Sequence, residues 1–467
     1  MNKHAQSQRI ARRGLTLLFS ALLLAATTLS APGQTRPEPR REELLNGLRV
    51  RLWHRPSDAN VLLKLRIHSG AIFDLAGKAG TMALLSDALF PDTGTREYLE
   101  ELGGRLEVTS DYDALNITLT SRATEFERVV ELLRTAMVST PLTPENVNGL
   151  RDARLKLSRE MGIAPALLAD RAIASRLFGD YPYGRAATGT PDTLARIDRA
   201  DLMLARERFL NPNNATLVVV GGVDEKRALR ALRQLLGSWR RSDSIVPATF
   251  RQPEAVDTRT LIIDLPGTPT AEIRLAVRGL ARSDNDASVA QLLALLIRDR
   301  WQARVPELGK SAFFVRHEAH VLPGAFVLGA AVNPSQAAGT LRAAREVLKT
   351  LASVAPAPSE FEKARGELLA VFNKQLDDPS TLADLWLDAE TYKLPSIDEQ
   401  LRALNRITPA DVQRVAAKLF LNAPVATVAL GSAAQLGNEL KADGKIEILN
   451  AQPTPAPQSG SAPLKTP

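Results

Sequence analysis

The chain has 467 residues, 45% of them apolar and 24% charged, with no cysteine and a formal charge of +7. That length is too great for one typical core and suits two to four domains held by apolar burial, while the lack of cysteine excludes a disulfide framework, a thiolate metal site and a thiol nucleophile. The first 31 residues carry four basic and no acidic side chains; without them 55 basic residues face 52 acidic ones, a net of +3, and no basic run has interleaved aromatics, so nothing points to a nucleic-acid partner.

At the start of the chain, Lys3, Arg9, Arg12 and Arg13 precede the apolar run GLTLLFSALLLAATT at 14–28, and Leu29-Ser30-Ala31 offers a small-residue cleavage site. This pattern predicts a signal peptide over 1–31, export to the periplasm or cell envelope, and no stable membrane anchor once the leader is removed. Residues 61–68, VLLKLRIH, alternate and predict a strand. Residues 81–90 predict a helix, 106–120 a hairpin-like pair of strands, and 123–138 an amphipathic helix with Phe126, Val129, Val130, Leu133 and Met137 on one side. Further helices are predicted at 146–161, 165–178 and 192–209, the last capped by Asp192 or Thr190. The run TLVVV at 216–220 predicts a buried closing strand.

The same order then recurs. IDRAD at 197–201 returns as ITPAD at 407–411, FLN at 209–211 as FLN at 420–422, and ATLVVVG at 215–221 as ATVALG at 426–431, with offsets of 210 or 211. LLKLRIHSG, ending at Gly70, and EIRLAVRG, ending at Gly279, fit at 209. The repeat predicts two homologous halves of about 210 residues each, at 36–240 and 258–450, joined by a polar, proline-bearing linker at 241–257 and followed by a proline-rich tail at 451–467. Strands and helices that mix without strict alternation predict an α+β fold, with a sheet on one side of each half and helices on the other.

Several landmarks in the first half carry a resemblance. The strand LLKLRIHSGAIFD leads to Gly77-Lys78-Ala79-Gly80, then a helix with Ala83, Ser86 and Asp87, then a glycine-rich turn at Gly94-Thr95, then Leu102-Gly103-Gly104 and the strand RLEVTS. GDYPYG at 179–184, GTP at 189–191 and RFLNPNNATLVVVGGVD follow in order. In this order and spacing residues 40–440 resemble the insulinase/pitrilysin-type (inverzincin) metallopeptidases, in particular their processing-peptidase-like branch. The resemblance implies two sheet-plus-helices sandwiches of the LuxS/metallohydrolase-like kind, closing as a clamshell around a chamber.

It also implies what is missing. Two histidines at i and i+4 on one helix face can share a zinc ion, with a glutamate just before the second as general base for the bound water. Here those positions are Ala83, Asp87 and Ser86, and Glu160 stands near the place of the last ligand as a possible relic. No catalytic residue, metal ligand set or cofactor is therefore assigned to this chain, and zinc is expected only in a partner chain. The sequence RHEAH at 316–320 lacks the helical ligand spacing; on a strand His317 and His320 point to opposite faces, and only Glu318 and His320 share one. The resemblance implies substrate contacts from Arg304, in the place of an arginine–tyrosine pair whose tyrosine falls on Ser311, and from the sheet edge at Glu107 and Val108, where peptide would add as a strand. The resulting expectation is a non-catalytic subunit that pairs with a zinc-bearing homologous peptidase and binds peptides or unfolded proteins. A standalone peptide-binding or scaffold protein is the alternative, and an active peptidase with a site relocated around Glu318 and His320 is a third reading.

Overall fold

Two six-stranded sheets carry the chain, one in each half. The computed structural model describes residues 38–450 apart from 163, 245, 310 and 311. The leader expected at 1–31, the tail expected at 451–467 and the position Ser311 lie outside the described residues.

The first half contains strands β1 (Arg40–Glu43), β2 (Arg49–His54), β3 (Asn60–Ile67), β4 (Arg105–Ser110), β5 (Leu115–Arg122) and β6 (Ala215–Gly221), ordered β1-β2-β6-β3-β5-β4. Its longer helices are α1 (Thr81–Ala88), α2 (Thr93–Glu101), α3 (Phe126–Arg134), α4 (Pro144–Met161), α5 (Pro165–Phe178), α6 (Arg199–Phe209) and α7 (Glu225–Leu236). The second half contains β7 (Thr260–Asp264), β8 (Ala271–Arg278), β9 (Phe313–Glu318), β10 (Ala325–Val332), β11 (Ala426–Gly431) and β12 (Ile446–Asn450), ordered β12-β7-β11-β8-β10-β9. Its helices are α8 (Ala287–Arg304), α9 (Ala337–Ser353), α10 (Pro358–Asp377), α11 (Pro379–Tyr392), α12 (Ile397–Arg406), α13 (Pro409–Phe420) and α14 (Ala433–Leu440). Among the described residues no helix is long and apolar enough to cross a membrane.

The repeated landmarks have a physical basis. IDRAD and ITPAD are both helix starts: Asp198 and Asp201 form a reciprocal capping box at α6, and Thr408 and Asp411 form one at α13. The buried Ile197 and Ile407 precede these caps. The capping box at Asp198 also divides the single helix expected over 192–209. A short turn of helix, Pro191–Leu194, is capped by Thr190, and α6 starts afresh after Asp198; Asp192 caps neither. Where a glycine-rich turn was expected at Gly94-Thr95, α2 forms instead, capped by Asp92.

Strand pairing places the duplication in one register. Lys64 on β3 lies opposite Thr118 and Val218, and Arg274 on β8, 210 residues further on, lies opposite Gly329 and Val428, at offsets of 211 and 210. The offset of 209 read from Gly70 and Gly279 is one residue out, because those glycines leave their strands at non-equivalent points. The correction matters, since a one-residue slip turns every outward side chain inward.

Each half covers the other's outer sheet face with one helix. Helix α5 lies on β8 and β11 of the second sheet, and α11 lies on β3 and β6 of the first. Under α11, Val218 and Val220 meet Leu382, Ala383 and Trp386, and Trp386 packs edge-on against Trp53 at 5.8 Å. Under α5, Ile173, Leu177 and Phe178 meet Ala276, Val327 and Val428. β6 is buried along its whole length, as its continuous apolar sequence predicts. Residues 241–257 form no helix or strand where described, and Phe250 and Val256 from this stretch pack into the cluster under α5.

Candidate functional site

Helix α1 begins where two glycines meet. Gly80 holds φ 97°, and a Cβ there would come within 2.8 Å of Gly189 Cα; Gly189 itself holds φ 78°. The G-x-x-G and G-T-P elements are thus two sides of one close backbone contact. Asp74 caps the helix, its carboxylate accepting from the N–H of Gly80 at 2.7 Å and of Met82 at 3.0 Å. Burial pushes the Asp74 carboxyl up to about 7, against the pull of those backbone donors.

The residues at the metal positions have other occupations. Ala83 is buried in the core and carries no donor atom. Ser86 is buried and donates to the backbone oxygen of Ala83 at 2.6 Å. Asp87 is gripped by both arms of Arg154 from α4, at 2.6 and 2.7 Å. Glu160 lies six residues beyond Arg154 on the same helix, so it is on another face, and it is exposed. The set does not supply the donors zinc needs: one position has no ligand atom, one carboxylate is committed to a guanidinium, and the other is turned away. Among the described residues no three His, Asp or Glu side chains come together in a group that could hold a metal ion.

The other expected residues are dispersed. Glu107 and Val108 lie on β4, which is an edge strand; Glu107 is exposed and Val108 packs partly on the core. Arg304 is the last residue of α8 and is exposed, before the break at Pro306. The histidines at 317 and 320 do not share a strand, because β9 ends at Glu318 and His320 lies beyond it. His317 accepts from the N–H of Leu280 through Nε2 at 3.1 Å, and burial first, then the charge of Arg282, depress it to about 4.

What the sequence did not disclose is a polar cluster in the seam between the halves. Asp113, almost fully buried, accepts from His320 Nδ1–H at 2.9 Å, from the Tyr392 hydroxyl at 3.2 Å and from the Tyr183 hydroxyl at 3.3 Å. The Tyr183 oxygen in turn accepts from the N–H of Leu322 at 3.1 Å. Burial alone would lower the pKa of His320, but the hydrogen bond and charge of Asp113 outweigh it and the pKa is raised. Burial, followed by the same charge, raises Tyr183 and Tyr392. Asp113 comes from the β4–β5 turn, Tyr183 from the GDYPYG loop, and His320 and Tyr392 from the second half. Only their distance in sequence hid the cluster.

Beside it lies a cavity of about 650 Å³ under α5, walled by Ile173, Phe178 and Val327 and reached by Tyr112, Tyr183 and His320. Burial, reinforced by Glu318, pushes the Tyr112 phenol up to about 12.

Two sheet-plus-helices halves of one pattern, with a glycine-led helix at the place of the metal ligands, define a metallopeptidase-type body. Residues 49–191 match the sequence profile described as "Insulinase (Peptidase family M16)" and 196–368 the one described as "Peptidase M16 inactive domain". The chain belongs to peptidase family M16. It is 24% identical over 399 residues to an uncharacterized zinc protease of Mycobacterium tuberculosis, covering 82% of this chain and 91% of the relative. It is 22% identical over 298 residues to the mitochondrial cytochrome b-c1 complex subunit 1 of the mouse, covering 61% of each. The fold matches the crystal structure of a protease from Helicobacter pylori with a TM-score of 0.78 at 18% identity, over 85% of this chain and 100% of that one.

Proposed function

We propose that this chain is a non-catalytic member of family M16 that works in the cell envelope as the partner of a zinc-bearing homologue. It would stabilise that homologue and help line a cavity for peptides or unfolded proteins. One observation carries the reading: the metal positions on α1 hold Ala83, Ser86 and Asp87, with Asp87 bound on both oxygens by Arg154. Arginine at that point disfavours a second cation beside it. The likeness to a named complex subunit supports a role inside an assembly. Zinc is proposed for the partner, and the leader at 1–31 is proposed to direct export.

The purified protein is expected to hold less than one zinc per chain and to leave a peptide library uncut. Capture from the native envelope is expected to bring a homologue with an intact H-x-x-E-H helix. Stoichiometric zinc with chelator-sensitive cleavage would falsify the reading. A standalone peptide-binding role is favoured by one feature, the cavity contained within a single chain; retained peptide on a protein that captures no homologue would support it.

A further inference from the structure

The cavity under α5 contains two guanidinium groups that the described protein leaves without a carboxylate contact. Arg171, on α5, lines the cavity and forms no hydrogen bond or ion pair among the described residues. Arg185, in the loop after GDYPYG, donates through Nη1 to the backbone oxygen of Asp74 at 2.8 Å, and its Nε is buried without a partner. Burial lowers both from the ordinary arginine value. Tyr112 lines the same cavity, and the charges of both arginines pull its phenol pKa down against burial.

The cavity's own anions are mostly engaged elsewhere. Asp170 accepts from Arg274 at 2.5 Å and Arg316 at 3.4 Å, and Glu318 is 3.2 Å from Arg316. Asp180 is exposed and acts on Arg185 through space. A half-buried guanidinium without a partner is costly, and a carboxylate answers it with two parallel, charge-assisted hydrogen bonds. The apolar wall suits an aliphatic or aromatic side chain next to that carboxylate. Strand β9 brings Arg316 and Glu318 to the cavity and is an edge strand, pairing only with β10 among the described strands.

We propose that the seam cavity binds a peptide through a carboxylate, its C-terminus or an acidic side chain, held between Arg171 and Arg185. The proposal rests on the peptide-binding part of the function above and names the chemistry of the bound group. It is tested on the full chain by fluorescence anisotropy with a labelled peptide containing one glutamate and a free C-terminus. Three further forms are compared: C-terminally amidated, glutamine for glutamate, and both.

The doubly neutral form is expected to bind about tenfold or more weakly than the acidic one, and the two singly changed forms identify which carboxylate is read. Arg171→Gln is expected to abolish the difference and Arg171→Lys to keep part of it. Neither is expected to lower the melting temperature, since Arg171 has no partner to lose among the described residues. Equal binding of the acidic and neutral forms overturns the carboxylate site while leaving peptide binding in place. An unchanged preference in Arg171→Gln overturns it as well. Failure of every peptide to bind overturns both the site and the peptide-binding part of the proposed function, including the case where a free dicarboxylate such as glutarate binds alone. Capture of a zinc-bearing homologue is decided separately.

Discussion

Under α11 the seam between the halves is packed around Trp386, Leu382 and Val218, with a recess of about 310 Å³ at its Pro379 end, whereas under α5 the same plan leaves a cavity of about 650 Å³. The two helices occupy equivalent places, and each begins with proline at its first position and has an Ala-Asp pair in its first turns. Asp384 on α11 meets Lys64 at 2.7 Å, and Asp170 on α5 meets Arg274, 210 residues after Lys64, at 2.5 Å. Beyond that pair the helices diverge. α11 continues with acids: Asp388 meets Arg66 at 2.6 Å, and Glu390 pairs with Arg51. These sit against the basic outer face of β2 and β3, and Trp386 fills the space between. α5 continues with Arg171, which has no such partner among the described residues. One ancestral arrangement has become a packed joint on one side and an open, cationic recess on the other. Closing a seam takes both complementary charge and enough apolar volume, and α5 has less of each.

This contrast can be broken at defined points. The largest effect is expected from Trp386→Ala, which empties the packed seam and should cost about 3–5 kcal/mol in urea denaturation. Ile173→Ala, which borders the existing cavity, should cost less, about 2 kcal/mol; equal losses would mean that the two seams are packed alike.

Next comes Arg274→Ala. Arg274 is 1% exposed and also donates to the backbone oxygens of Ile273 and Ala166. Its removal leaves buried acceptors unpaired, and about 3 kcal/mol of stability is expected to go.

Asp74 gives a pH signature confined to the first half. Its pKa is raised from 3.8 to about 7, so the folded protein holds a proton that the unfolded chain has released. The stability this contributes is complete below about pH 4 and is lost as the pH rises through about 7. The wild type should therefore lose stability across that window relative to Asp74→Asn, by on the order of a few kcal/mol. Parallel curves would place the proton elsewhere. The smallest effect is expected from Lys64→Ala, the counterpart of Arg274. Its partner Asp384 is 44% exposed, and about 1 kcal/mol or less should be lost because solvent screens the pair.

Much of the architecture was legible because its signals are local. The strand at 61–68, the helix at 165–178 and the buried strand around 216–220 follow from periodicity, N-terminal prolines and an unbroken apolar run. The loss of the metal motif was legible at Ala83 and Ser86, since no environment gives alanine a ligand atom. Other features escaped because their cause is distant. α2 was hidden under a glycine that reads as a turn. The one-residue error in the repeat came from glycines that stand at different distances past their strands, Gly70 three residues after Ile67 and Gly279 one after Arg278. Arg154 could not be paired with Asp87 from sequence, because 67 positions separate them and the helix face is set by how α4 packs. Arg304 and Glu107 had the right chemistry, but nothing in their neighbourhood fixed what they would face.

By itself, then, the sequence determined two repeated α+β halves, the family to which they belong, and the absence of imidazole ligands on the helix that would carry them. These depend on residue type and short spacing, which the chain encodes directly. Tertiary structure alone decided that Asp113, Tyr183, His320 and Tyr392 share one buried cluster, and that Arg171 and Arg185 face one cavity. Those groupings arise from the way each half lays a helix across the other's sheet, and a contact made between surfaces leaves no periodic trace in either segment.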